Sequence, residues 1–146
     1  MEIFSQPEQE KIVQAINLAE NLTSGEIRLV VERHVHKKRD AIAQAQYYFA
    51  KLGMHETAQR NGVLIYIAID DHQFAIIGDA GIDKKVPDYF WEKTKDKMAH
   101  FFRNNDYLNG LIAGIGDAGQ QLAAYFPRLD DDVNELPNDI YFGKPQ

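Results

Sequence analysis

The stretch "RNGVLIYIAIDDHQFAIIGDAGID", residues 60–83, decides how this chain is read. Residues 63–69 form a continuous apolar run, too short and too rich in β-formers for a long helix. A run of this kind is expected of a strand buried on both faces, as in α/β sheets. Asp70-Asp71-His72 makes a tight connection, and residues 73–78 read as a second strand returning antiparallel. Asp79-Ala80-Gly81 breaks that strand. Carboxylates therefore stand at both ends of an apolar hairpin. They serve either as turn residues and helix caps or as ligands of a cation.

Upstream, "EIRLVVERH" (residues 26–34) alternates around Ile27, Leu29 and Val31, the pattern of a strand. It is preceded by a helix. Ser5 and Glu8 make a capping box, Pro7 fits the first turn, and Ile12, Ala15, Ile16, Ala19 and Leu22 recur at helical spacing. Thr23-Ser24-Gly25 ends that helix. After "HKKRD", Asp40 caps a second helix whose stripe is Ala41, Ile42, Ala45, Tyr48, Phe49 and Leu52. Downstream of the hairpin, Pro87-Asp88 opens a third long helix carrying Phe90, Thr94, Met98, Phe101 and Phe102. Asp106 caps a fourth, lined by Leu108, Leu111, Ile112, Ile115 and Leu122. The order α-β-α-β-β-α-α predicts an α/β/α sandwich, Rossmann-like, with a small mixed sheet and helices on both faces. The helix between the first two strands implies that they are parallel and joined right-handed. Residues 1–127 read as one domain. Residues 128–146 read as an extended acidic tail, in which Ile140, Tyr141 and Phe142 are a candidate edge strand.

The chain has 146 residues, 45% hydrophobic and 26% charged, with a net charge of −6. That length suffices for a core without disulfide or metal staples. The acidic balance disfavours nucleic acid and anionic membranes as partners and suits a cation. The absence of cysteine removes thiolate metal sites, disulfides and cysteine nucleophiles. No signal peptide, anchor or membrane span is visible, so a soluble, cytoplasmic protein is expected. No P-loop, Gly-x-Ser-x-Gly elbow or His-Glu-x-x-His occurs, and "GDAGID" is no dinucleotide fingerprint.

The topology sorts the acids into two poles. A glycine-rich pole gathers Gly25, Glu26, Arg60, Asn61, Gly78, Asp79, Gly81 and Asp83. The opposite pole gathers His34, His36, Asp70, Asp71, His72 and the stretch Asn104-Asn105-Asp106. Calcium takes six to eight oxygens, which carboxylates and loop carbonyls from distant segments can supply. Glu26, Asp79 and Asp83 are the first candidate metal cluster; Asp70, Asp71 and Asp106 are the second. Each has a plainer reading: hairpin-turn residues for Asp70 and Asp71, a helix cap for Asp106, turn and helix-start residues for Asp79 and Asp83, a solvated strand start for Glu26. His34 and His36 share a strand face as a metal pair or a solvated strand end.

The hairpin with its flanks, together with "SGEIRLVVE" and "FFRNNDYLNGLIAGI", resembles the TPM domain. That family is named for thylakoid-lumen, photosystem-repair and receptor-modulating members. The resemblance covers about residues 5 to 126, and the chain is similar to the family's small standalone bacterial type. It implies an α/β/α sandwich, and it includes members described as acid phosphatases and as calcium-binding. Two departures stand out. The usual Gly-Tyr-Gly end is Gly78-Asp79-Ala80-Gly81 here, and the basic residue that often follows the acidic turn is His72. The first expectation is binding of a divalent cation, calcium or magnesium, without strong catalysis. The alternatives are a metal-assisted acid phosphatase using Asp79, Arg60 and Asn61, and a protein-interaction domain with an unknown protein partner.

Overall fold

A computed structural model describes residues 3–128 and 139–143 of the chain. Helix α1, Gln6–Glu20, starts at the Ser5 capping box: Glu8 N donates to Ser5 Oγ at 3.3 Å and Ser5 N to Glu8 Oε1 at 2.8 Å. Strand β1 is Glu26–Glu32, helix α2 is Ala41–Lys51, and the hairpin strands are β2, Gly62–Ala68, and β3, Gln73–Gly78. A one-turn helix α3, Ala80–Asp83, precedes α4, Glu92–Arg103, and α5, Tyr107–Ala123. Strand β4 is Tyr141–Phe142.

The sheet order is β3-β2-β1-β4. β1 and β2 are parallel, in register from Glu26↔Gly62 to Glu32↔Ala68, and β2 and β3 are antiparallel. Both pairings match the sequence reading. Every residue of β1 and β2 is buried, as the unbroken apolar run of β2 requires. Ile27, Leu29, Val31, Val63, Ile65 and Ile67 pack beneath α1, α4 and α5. On the other face, Val30, Leu64, Tyr66 and Ala68 pack against Ala41, Ala45, Tyr48 and Phe49 of α2. The result is an α/β fold with helices on both faces of an open mixed sheet.

β4 lies parallel to β1, with Val30 opposite Tyr141. The edge strand expected at Ile140, Tyr141 and Phe142 is present; the remainder of the acidic tail, residues 129–138 and 144–146, lies outside the described residues. Gly143 seats this end over a buried carboxylate. Glu32, 2% exposed, accepts from Gln44 Nε2 (3.1 Å) and from the Tyr66 hydroxyl (3.2 Å), and a Cβ on Gly143 would overlap its Cγ. Burial beside Glu32 pushes the Tyr48 and Tyr66 hydroxyls up, so both stay protonated donors.

Three local expectations change. The third long helix opens at Glu92, not at Pro87-Asp88. Residues 88–91 instead form turns in which Phe90 N bonds Pro87 O (3.0 Å), and the Phe90 ring packs edge-on against Trp91 and Tyr125. His34 and His36 do not share a strand face, because β1 ends at Glu32. Leu22 and Ile42 leave their predicted stripes and are 47% and 51% exposed. Among the described residues, no helix is long and apolar enough to cross a membrane.

Candidate functional site at the glycine-rich pole

The antiparallel return of β3 brings Asp79 back beside the start of β2, where Asp79 N donates to Gly62 O at 2.9 Å. Gly81 lets α3 press onto the preceding loop. Its N–H bonds Arg60 O at 2.9 Å, and a Cβ there would overlap the Gln59 carbonyl oxygen. Arg60 adopts a left-handed φ of 52°, which turns its side chain to Asp79.

Asp79 is the centre of the site. Its side chain is 2% exposed, yet it is fully engaged. Arg60 Nε donates to Oδ2 at 2.7 Å and Arg60 Nη2 to Oδ1 at 2.9 Å, a fork-like grip. The Ala80 amide donates to Oδ1 at 2.7 Å as a helix cap, and His55 Nδ1 lies 3.0 Å from the same oxygen. Burial pushes the Asp79 carboxyl up. The Arg60 fork, the Ala80 amide and His55 together outweigh burial and hold it below the ordinary carboxylate range.

Asp83, one turn along, behaves in the opposite way. Partial desolvation and the like charges of Asp79 and Asp88 push its carboxyl up. Asp79 and Asp83 line one cleft of about 330 Å³ with His55, Phe49, Gln46 and Trp91. The structure thus unites two members of the predicted cluster. Glu26 is not a lining residue: it is buried, 2% exposed, at the start of β1, where its backbone N–H bonds Asn61 O. Its plainer reading as a solvated strand start also fails, because the residue is buried. Among the described residues, no three acidic or histidine side chains stand close enough together to hold a metal ion by themselves.

The phosphatase set assembles only in part. Arg60 and Asp79 meet, but the buried Asn61 amide turns to Ser24 Oγ at 3.3 Å. A carboxylate whose oxygens already accept three bonds from Arg60 and the Ala80 amide, and whose pKa is lowered, is a poor nucleophile and a weak base. His55, half exposed at 51%, was not singled out by the sequence. It sits 24 residues from Asp79 in a polar stretch with no motif around it.

At the opposite pole the acids act mainly as structure. Asp71 ties the hairpin turn to the end of β1 through His34 Nδ1 (2.9 Å) and the Val35 amide (2.7 Å), and both contacts lower its pKa. The same contact raises the pKa of His34. Asp70 lies 3.4 Å from Arg33. Asp106 caps α5, accepting from Asn109 N at 3.1 Å.

The model of the TPM domain matches residues 1–121. The chain belongs to the TPM domain family. The NMR structure of the BA42 protein from the psychrophilic bacterium Bizionia argentinensis is 42% identical to it, with a TM-score of 0.91 and 97% of each chain covered. Two more distant structures share the fold. The N-terminal domain of the Corynebacterium glutamicum cg2496 protein is 14% identical with a TM-score of 0.64, covering 81% of this chain and 73% of that one. An N-terminal domain from P. gingivalis is 18% identical with a TM-score of 0.68, covering 85% and 79%. No curated protein matches the chain. The close likeness to BA42 agrees with a small TPM domain.

Proposed function

We propose that this TPM domain binds a divalent cation, calcium or magnesium, at the mouth of the Asp79–Asp83 cleft. The observation that carries this reading is Asp83, which lines the cleft beside Asp79 with no ion pair of its own among the described residues, its carboxyl pushed up by burial and by the like charges of Asp79 and Asp88. A divalent ion would relieve that repulsion. Asp83 would supply the outer carboxylate oxygen, and Asp79 the inner one, once half-exposed Arg60 gives up part of its grip. Backbone carbonyls and water would complete the shell. So few carboxylates imply weak binding, with a Kd of roughly 0.1–1 mM. Glu26 is left out because its side chain is buried away from the cleft.

Calcium titration of the wild type and of Asp83→Asn, followed by calorimetry, tests the assignment. At least a fivefold loss of affinity in the variant is expected. Equal affinities would remove Asp83 from the site. No observation in this geometry favours phosphate-ester hydrolysis: the lowered pKa of Asp79 makes it a weak base, and the Asn61 amide is turned to Ser24.

A further inference from the structure

A second cavity, of about 330 Å³, opens at the opposite pole between the β2–β3 turn and the junction of α4 with α5. We infer that it is a binding site for a small aromatic carboxylate. Aromatic rings form its wall in sequence. Phe74 meets Phe102 edge-on at 5.0 Å, Phe102 stacks on Tyr107 at 5.5 Å, and Tyr107 stacks on His72 at 6.4 Å. The Tyr107 hydroxyl and His72 Nδ1 lie 2.9 Å apart, which fixes the end of this ladder. A planar ring lying along it would gain offset stacking as well as apolar burial.

The backbone at the rim is unusual. Among the described residues only three other than glycine have a positive φ, and two of them, His72 at 55° and Asn105 at 60°, line this cavity. Left-handed conformations at residues other than glycine cost free energy and tend to collect at functional positions. Here both turns contribute to the lining of the opening. Arg103 also stands at the rim, exposed, and no ion pair engages it among the described residues. Its planar guanidinium matches a carboxylate, whereas the bulk of a protein with net charge −6 repels one. The cation is therefore the selective element, and the ring wall fixes the ring. The site shares no residue with the Asp79–Asp83 cleft and stands whether or not that cleft binds a cation.

Indole-3-acetate is a suitable probe, titrated into the isotope-labelled full chain with amide shifts read residue by residue. At the efficiency usual for drug-sized ligands, its ~13 heavy atoms correspond to a Kd of roughly 1 mM. Saturable shifts are expected at residues 72–74 and 99–107. Tryptamine, with the same ring and the opposite charge, should bind at least fivefold more weakly. Arg103→Gln should weaken the acid about five- to tenfold and leave the amine unchanged. Ala99→Leu, which fills the cavity from a helix position that accepts leucine, should abolish binding of the acid. Absence of saturable shifts up to about ten times that Kd would overturn the inference. So would equal binding of acid and amine, or undiminished binding in Ala99→Leu.

Discussion

Replacing Asp79 by Asn preserves shape and removes charge, and so isolates what the carboxylate does. Asparagine still caps α3, because its side-chain oxygen can accept from the Ala80 amide. The Arg60 fork and the His55 contact lose their anionic partner. A fully buried pair broken in this way costs about 3–5 kcal/mol. Here the partners are half exposed, Arg60 at 48% and His55 at 51%, so water solvates them once they are released. The expected loss is therefore smaller, about 1–2 kcal/mol at pH 7. For a domain of this size that is a fall in Tm of roughly 3–6 °C. The pH dependence follows from the sign of the shift. The folded Asp79 pKa lies below the ordinary 3.8, so its stabilisation is complete above that value and is lost as pH falls through the folded pKa. Urea unfolding of both proteins from pH 7 down to pH 3 would show a constant gap at neutral pH that closes in acid. An unchanged midpoint at pH 7, or a gap that persists undiminished below the folded pKa, would refute this account of Asp79.

Other predictions address the rest of the fold. The His34 imidazole should titrate above 6.5 by NMR and return toward it in Asp71→Asn, since the Asp71 contact is the leading cause of its shift. Stability linked to this pair is present at low pH for His34 and fades as pH rises through its folded pKa. Gly81→Ala should destabilise the protein by about 2 kcal/mol or more in urea, because the added Cβ would stand 2.6 Å from the Arg60 carbonyl oxygen, which as backbone cannot rotate aside. Gly143→Ala should release β4, because its Cβ would overlap Glu32 Cγ and stand 2.5 Å from Tyr48 Oη. Hydrogen exchange at Tyr141 and Phe142 should then accelerate while the amides of β2 stay protected.

The fold was legible because its strongest signals are local and mutually consistent. The apolar run of β2, the two-acid turn and the Ser5–Glu8 box each demand one conformation, and the hairpin together with the helical crossover leaves few topologies. The start of α4 was not legible: residues 87–91 fit a helical stripe equally well, and only the packing of Phe90 against Trp91 and Tyr125 selects turns. At the candidate site, topology correctly delivered Asp79, Asp83 and Arg60 to one pole. Whether Glu26 joins them depends on which face of β1 its side chain takes and what covers it, and that is a tertiary property. The same is true of His55, whose loop carries no motif, and of the aromatic cavity, whose walls come from β3, α4 and the start of α5. The charge state of Asp79 is also tertiary, since it reflects a competition between burial and three donors that no spacing encodes.

The most direct test of the central claim is a calcium titration of the labelled protein, with amide shifts resolved by residue. The account predicts saturable shifts centred on residues 78–83, with changes at Arg60 and His55 as Arg60 loosens, and none centred on Asp70, Asp71 and Asp106. Shifts confined to that second cluster, or no saturable shift at millimolar calcium, would contradict it.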